Sequence, residues 1–176
     1  MMLLMLALAV LVLPLQWLIA ILLAALFHEL CHYLAIRCCG GQIIGISADM
    51  GGARLEVAGL SNQQELVCAL AGPVGGLSLL LLIRWIPRTA ICGVFQSLFN
   101  LLPVYPLDGG RALRCGMEGI LPLEQADRVC IWVRRISLGL VIGLGIYGTM
   151  FLGLGLMPLL LCGIIFGKIT CKPFRH

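Results

Sequence analysis

Two histidines stand four residues apart in this chain, in the run His28-Glu29-Leu30-Cys31-His32. On a helix, positions i and i+4 lie one above the other on the same face. Two imidazoles so placed can share one Zn²⁺, and the carboxylate beside the first can take a proton from a water that the metal activates. The setting sharpens this reading. No charged residue occurs from Met1 to Phe27, so the cluster lies late in a long apolar stretch. An ionisable cluster inside a membrane span is costly and marks a functional site.

A catalytic Zn²⁺ wants three protein ligands and one open position. Asp108 leads as the third. It follows Pro103-Val104-Tyr105-Pro106-Leu107, whose two prolines three apart cannot continue a regular helix. It precedes Gly109 and Gly110, which let backbone approach closely. The competing role for Asp108 is N-cap of a helix starting at Gly109. Asn100 could donate a hydrogen bond to a substrate carbonyl or its oxyanion, or satisfy backbone freed by Pro103. Cys31, three residues after His28, reads as a small packing residue or a further donor at the metal. The other acids fall in polar loops or at helix starts.

These residues need a membrane fold to position them. Of the 176 residues, 61% are hydrophobic and only 11% are charged, where a soluble domain carries about a quarter. The chain is therefore expected to be one all-α polytopic membrane domain spanning 1–176, with about five to six membrane segments. Its basic residues are scattered without interleaved aromatics, which excludes a nucleic-acid partner. Nine cysteines, odd in number and without a C-x-x-C pair, read as apolar packing residues.

Along the chain, residues 1–14 form a short first apolar segment ended by Pro14, a truncated span or the start of one kinked helix. It lacks the charged start of a signal peptide. Residues 15–110 form the catalytic core. Within it, 15–36 is long enough to span. The glycine-rich stretch 40–59 alternates in places and predicts a hairpin or loop at the membrane surface. Ser61 with Gln64 predicts a capping box, and a helix follows from Asn62 to about Trp85. Its Ala71-Gly72-Pro73 and Gly75-Gly76 would let another helix approach closely. Residues 111–135 form a polar, cytoplasmic segment with a helix start at Pro122, and 136–167 hold C-terminal membrane segments divided near Gly153. When Arg37 is placed inside and the spans alternate, every Lys and Arg except Arg84 and Arg88 falls on that side. His32 and Asp108 then share the cytoplasmic depth.

Taken together, His28-Glu29-Leu30-Cys31-His32, Ala71-Gly72-Pro73 and the block from Asn100-Leu101-Leu102-Pro103 to Leu107-Asp108-Gly109-Gly110 resemble the site-2 protease family of intramembrane zinc metalloproteases. With Gly51-Gly52-Ala53-Arg54-Leu55-Glu56-Val57, the likeness is nearest to the sporulation branch, the stage IV sporulation protein FB type, over about residues 15–138. The resemblance implies His28, His32 and Asp108 as zinc ligands and Glu29 as general base. It implies a membrane-associated substrate, a pro-sigma factor in that branch, and a regulatory membrane partner. It places the protein in a bacterial cell membrane. This chain has Cys31 where the family usually has glycine, and it shows no PDZ or nucleotide-sensing (CBS) domain. Two other functions compete: a metal-binding scaffold, which would not need Glu29, and a metal transporter, which would spread ionisable groups along a path across the membrane.

Overall fold

A computed structural model describes residues 14–49, 52–105 and 107–151. The first helix, α1 (Leu15–Cys38), is apolar almost all round. Its buried residues are Ala20, Ala24, His28, His32 and Ile36, a seam with one residue every turn. Leu22, Leu26 and Leu34 point outward. The inside-out pattern of a soluble helix is thus replaced by a membrane pattern, in which small and polar residues make the helix contact and leucines face lipid.

Gly40 (φ 78°) and Gly59 (φ 82°) bracket a hairpin, each in the left-handed region that glycine enters without strain. Between them β1 (Gln42–Asp49) pairs antiparallel with β2 (Gly52–Ala58), Gln42 opposite Ala58 and Asp49 opposite Gly52, with a register shift between Ile43 and Gly45. The glycine-rich stretch therefore forms the expected hairpin.

The capping box is present at the start of α2 (Asn62–Ser78): Ser61 Oγ accepts from the Gln64 N–H and Gln64 Oε1 accepts from the Ser61 N–H. Pro73 lies inside this helix. The α-helix was expected to reach about Trp85. It ends at Ser78, and a 3-10 turn (Leu79–Leu82) carries the apolar run on. A proline at its N-terminus opens α3 (Pro87–Asn100). Its 14 residues reach about 21 Å, short of the roughly 30 Å of a bilayer core. A broken stretch leads to α4 (Asp108–Glu118), and α5 runs from Leu123 to Phe151.

Three helical segments among the described residues are long and apolar enough to cross a membrane: Leu15–Cys38, Asn62–Leu82 and Leu123–Tyr147. The helix α5 runs through residue 135, so that the polar residues 123–135 are its first turns. The first segment before Pro14 and the segments after Phe151 lie outside the described residues.

The helix α2 is the hub. It packs against α1, α3 and α4, while α1 also touches α3, and α5 packs on α4. Its glycines permit this. A methyl group on Gly76 would collide with Ser97 of α3, and one on Gly75 with the thiol of Cys31 on α1. Ala24 and Ala90 pack with Leu79 in one small apolar cluster. In a second, Val104 of the broken stretch packs against Leu138 and Val141 of α5.

Candidate metal centre

The helical period places His28 and His32 on the buried seam of α1, 2% and 9% exposed. The rings lie 4.8 Å apart, edge to face. The broken stretch and the start of α4 bring Asp108 to them from 80 and 76 positions away in sequence. Asp108 Oδ2 lies 3.0 Å from His28 Nε2 and 3.1 Å from His32 Nε2, and the two nitrogens are 3.2 Å apart. Among the described residues this is a cluster of metal-ligating type. Asp108 is not an N-cap: Leu107 holds that position, Asp108 is the first helical residue, and its carboxylate turns to the imidazoles.

Close backbone approach makes this turn possible. A Cβ on Gly109 would strike the carbonyl of Leu101, and one on Gly110 would strike the backbone of Tyr105 and Val104. The chain therefore folds tightly on itself just after Asp108. On the other side, a Cβ on Gly72 would collide with the His32 imidazole. Gly72 is the centre of Ala71-Gly72-Pro73, so the small residue that the sequence offered for helix approach is the seat of a site ring.

The proton positions follow from the partners. His32 Nδ1–H donates to the carbonyl oxygen of Cys68 at 2.7 Å. A neutral imidazole has one proton, so Nε2 of His32 presents a lone pair to the cluster. Asp108 Oδ2 also presents lone pairs. Asn100 Nδ2–H donates to His28 Nε2 at 3.1 Å, which makes that nitrogen an acceptor too. Three acceptor atoms thus converge in a buried place, an arrangement that calls for a cation. Ligands about 2.0–2.1 Å from a tetrahedral Zn²⁺ stand about 3.3 Å from one another, close to the 3.0, 3.1 and 3.2 Å found here. The donor set of two imidazoles and one carboxylate suits Zn²⁺.

Without a metal, burial pushes the Asp108 carboxyl pKa up, but in acid, where His28 and His32 are protonated, their hydrogen bonds and charge outweigh it and hold the group at about 2. Glu29 is exposed beside the cluster, one position after His28 and within electrostatic reach of His32. The structure thus brings His28, His32, Asp108 and Asn100 into contact and leaves Glu29 at their edge. Cys31 points away, against Gly75. The carbonyl of Cys68 was not foreseen, since a backbone group has no sequence signature; only the small residues of α2 hinted that another helix would seat there.

The fold is similar to that of a site-2 protease from Methanocaldococcus jannaschii. The alignment covers 99% of this chain and 88% of that one, with a TM-score of 0.64 and 17% sequence identity. No protein-family model and no curated protein sequence matches the chain.

Proposed function

We propose that this protein is an intramembrane zinc-dependent endopeptidase. The observation that carries the reading is the convergence of three acceptor atoms from His28, His32 and Asp108 inside an apolar helix bundle. The likeness of the fold to a site-2 protease supports it.

In this reading His28, His32 and Asp108 hold the metal. A bound Zn²⁺ supplies Lewis acidity toward a peptide carbonyl and makes water nucleophilic near neutral pH. Glu29 is the general base. It accepts the proton of the attacking water and returns it to the leaving amine. Its exposure at the edge of the cluster leaves it open to water and substrate. The amide of Asn100 donates to the substrate carbonyl as negative charge develops there. Cys68 holds the His32 ring in the tautomer that keeps Nε2 free.

The substrate is a membrane-associated protein cut in or near its membrane segment, a pro-sigma-factor-like protein in a sporulating bacterium. Extended substrate pairs with the β1–β2 hairpin by strand addition. The site opens to the cytoplasm, the side assigned by the arginines and lysines, and a membrane partner regulates access.

The test is zinc content and cleavage of a model membrane substrate, measured on purified wild type, Asp108→Ala and Glu29→Gln. Wild type should carry about one Zn²⁺ per chain and cut. Asp108→Ala should lose the metal, and Glu29→Gln should keep it without cutting. A wild type without zinc would end the metal-site reading. Zinc binding with Glu29→Gln unchanged in every activity would favour the scaffold.

A further inference from the structure

The helices α1 and α3 start at the same end of the bundle. A cleft of about 220 Å³ opens between their first turns, lined by Gln16 and Ile19 of α1, by Trp85 and Ile86 before α3, and by Arg88 and Thr89 within it. This end is remote from the metal centre, since Gln16 lies 12 positions before His28 on α1, about 18 Å along the helix axis. Both helix starts carry unmet donors. The N–H groups of Leu15 and Gln16 on α1, and of Arg88 and Thr89 on α3, have no intrahelical acceptor and find no other backbone acceptor among the described residues. Neither start has a side-chain cap, because Pro14 and Ile86 hold the N-cap positions. Thr89 is only 8% exposed, yet its hydroxyl, on the wall of the cleft, has no hydrogen-bond partner among the described residues.

The charge here is one-sided. Arg84 and Arg88 are both exposed, and neither forms an ion pair among the described residues. No Asp or Glu occurs from residue 1 to 28 or from 66 to 107, so the segments that build the cleft hold no carboxylate. Unmet N–H groups at two positive helix ends, a buried free hydroxyl and two guanidiniums call for an anion. The walls made by Ile19, Ile86 and Trp85 call for hydrocarbon attached to it. Trp85 is 74% exposed at the end of a membrane-length helical segment, the level at which lipid headgroups lie.

We propose that this cleft binds an anionic phospholipid. The phosphodiester accepts from the Arg88 guanidinium, the Thr89 hydroxyl and the free N–H groups of the first turn of α3, with the Gln16 amide on the facing side. The glycerol and first acyl carbons lie along Ile19 and Ile86. An ammonium headgroup would meet two arginines and no carboxylate, so phosphatidylglycerol is preferred over phosphatidylcholine. The bound lipid joins the starts of α1 and α3. The inference does not depend on the proposed peptidase activity.

The experiment is native mass spectrometry of the purified, delipidated full chain in detergent, titrated with phosphatidylglycerol or with phosphatidylcholine. The expected result is one phosphatidylglycerol held about tenfold more tightly than phosphatidylcholine, the effect of one hydrogen bond to a charged group. Arg88→Gln and Thr89→Val should each weaken phosphatidylglycerol by about tenfold. Arg37→Gln makes the same change of charge at the other end of α1 and should leave binding intact. Circular dichroism of each variant guards against loss by misfolding, and the wild-type comparison of the two lipids needs no variant. Equal affinity for the two lipids, or equal losses in Arg37→Gln and Arg88→Gln, would overturn the inference. Displacement of phosphatidylglycerol by inorganic phosphate at equal concentration would also overturn it, since the site would then serve a free anion.

Discussion

His32 and Cys68 are joined by a 2.7 Å hydrogen bond from the imidazole Nδ1–H to the backbone carbonyl. Through it, α2 decides the tautomer of a side chain on α1, and the Nε2 lone pair stays aimed at His28 and Asp108. A backbone carbonyl in this place cannot be deleted by substitution, but its distance from the ring can be changed.

Gly72→Ala should change it. The added methyl would occupy the position of the His32 ring, and overpacking of this kind costs about 1–3 kcal/mol. Zinc content and thermal unfolding in detergent should both fall. Gly116→Ala is the control, since nothing lies within 4 Å of a methyl there; in the helix α4 it should be neutral or gain up to about 1 kcal/mol. Equal behaviour of the two variants would contradict the packing account.

Cys31 and Gly75 should behave as a coupled pair. Gly75→Ala drives a methyl into the Cys31 side chain and should destabilise. In a Cys31→Gly background that clash is gone, so the same change should cost less, with a coupling energy of about 0.5–3 kcal/mol in a double-mutant cycle. Additive effects would show that the two side chains do not meet.

Asn100→Ala removes the donor to His28 Nε2 without touching His28, His32 or Asp108. Zinc stoichiometry should hold. If the amide also steadies the developing oxyanion, cleavage should slow by about 10²–10³-fold in kcat. An unchanged rate would reduce Asn100 to a packing role.

The pH dependence of stability follows from Asp108. Its folded pKa of about 2 lies below the ordinary 3.8, so the folded state favours the ionised form. The stabilisation is fully present above the ordinary value and is lost as pH falls through the folded one. A gap of this size is worth about 2 kcal/mol. Metal-free wild type should therefore lose stability between about pH 4 and pH 2, and Asp108→Asn should lack that component. Parallel unfolding curves for the two proteins across this range would refute it.

Ser97 offers a change in the opposite direction. Its hydroxyl is fully buried and has no hydrogen-bond partner among the described residues. An unsatisfied buried polar group costs about 1–3 kcal/mol. Ser97→Ala should thus raise the unfolding temperature. A clear loss of stability would mean that the hydroxyl is satisfied in solution.

Much of the site was legible because it is local. The spacing of His28 and His32 and the pairing of Ser61 with Gln64 depend only on the helical period and on cap geometry, so a few adjacent residues carry them. The hairpin was legible from its glycines, two of which hold the positive φ its ends require. Asp108 was the leading candidate for a third ligand, with a rival role as N-cap; it is the first residue of α4 and its carboxylate lies against both histidines of α1. The α-helical end of α2 was misjudged. An apolar run looks the same whether it is α or 3-10, and a polar stretch can be the opening turns of a helix that later enters lipid.

By itself, then, the sequence determined a membrane chain with two histidines on one helical face and a broken segment carrying an aspartate. Helical spacing and the aversion of charge to hydrocarbon suffice for that. Only the tertiary structure decided that Asp108 meets those histidines, that Asn100 joins them, and that Cys68 orients one ring. Such contacts depend on how closely the helices approach, which small residues such as Gly72 permit but whose partners they do not name, and on a backbone carbonyl that every residue possesses alike.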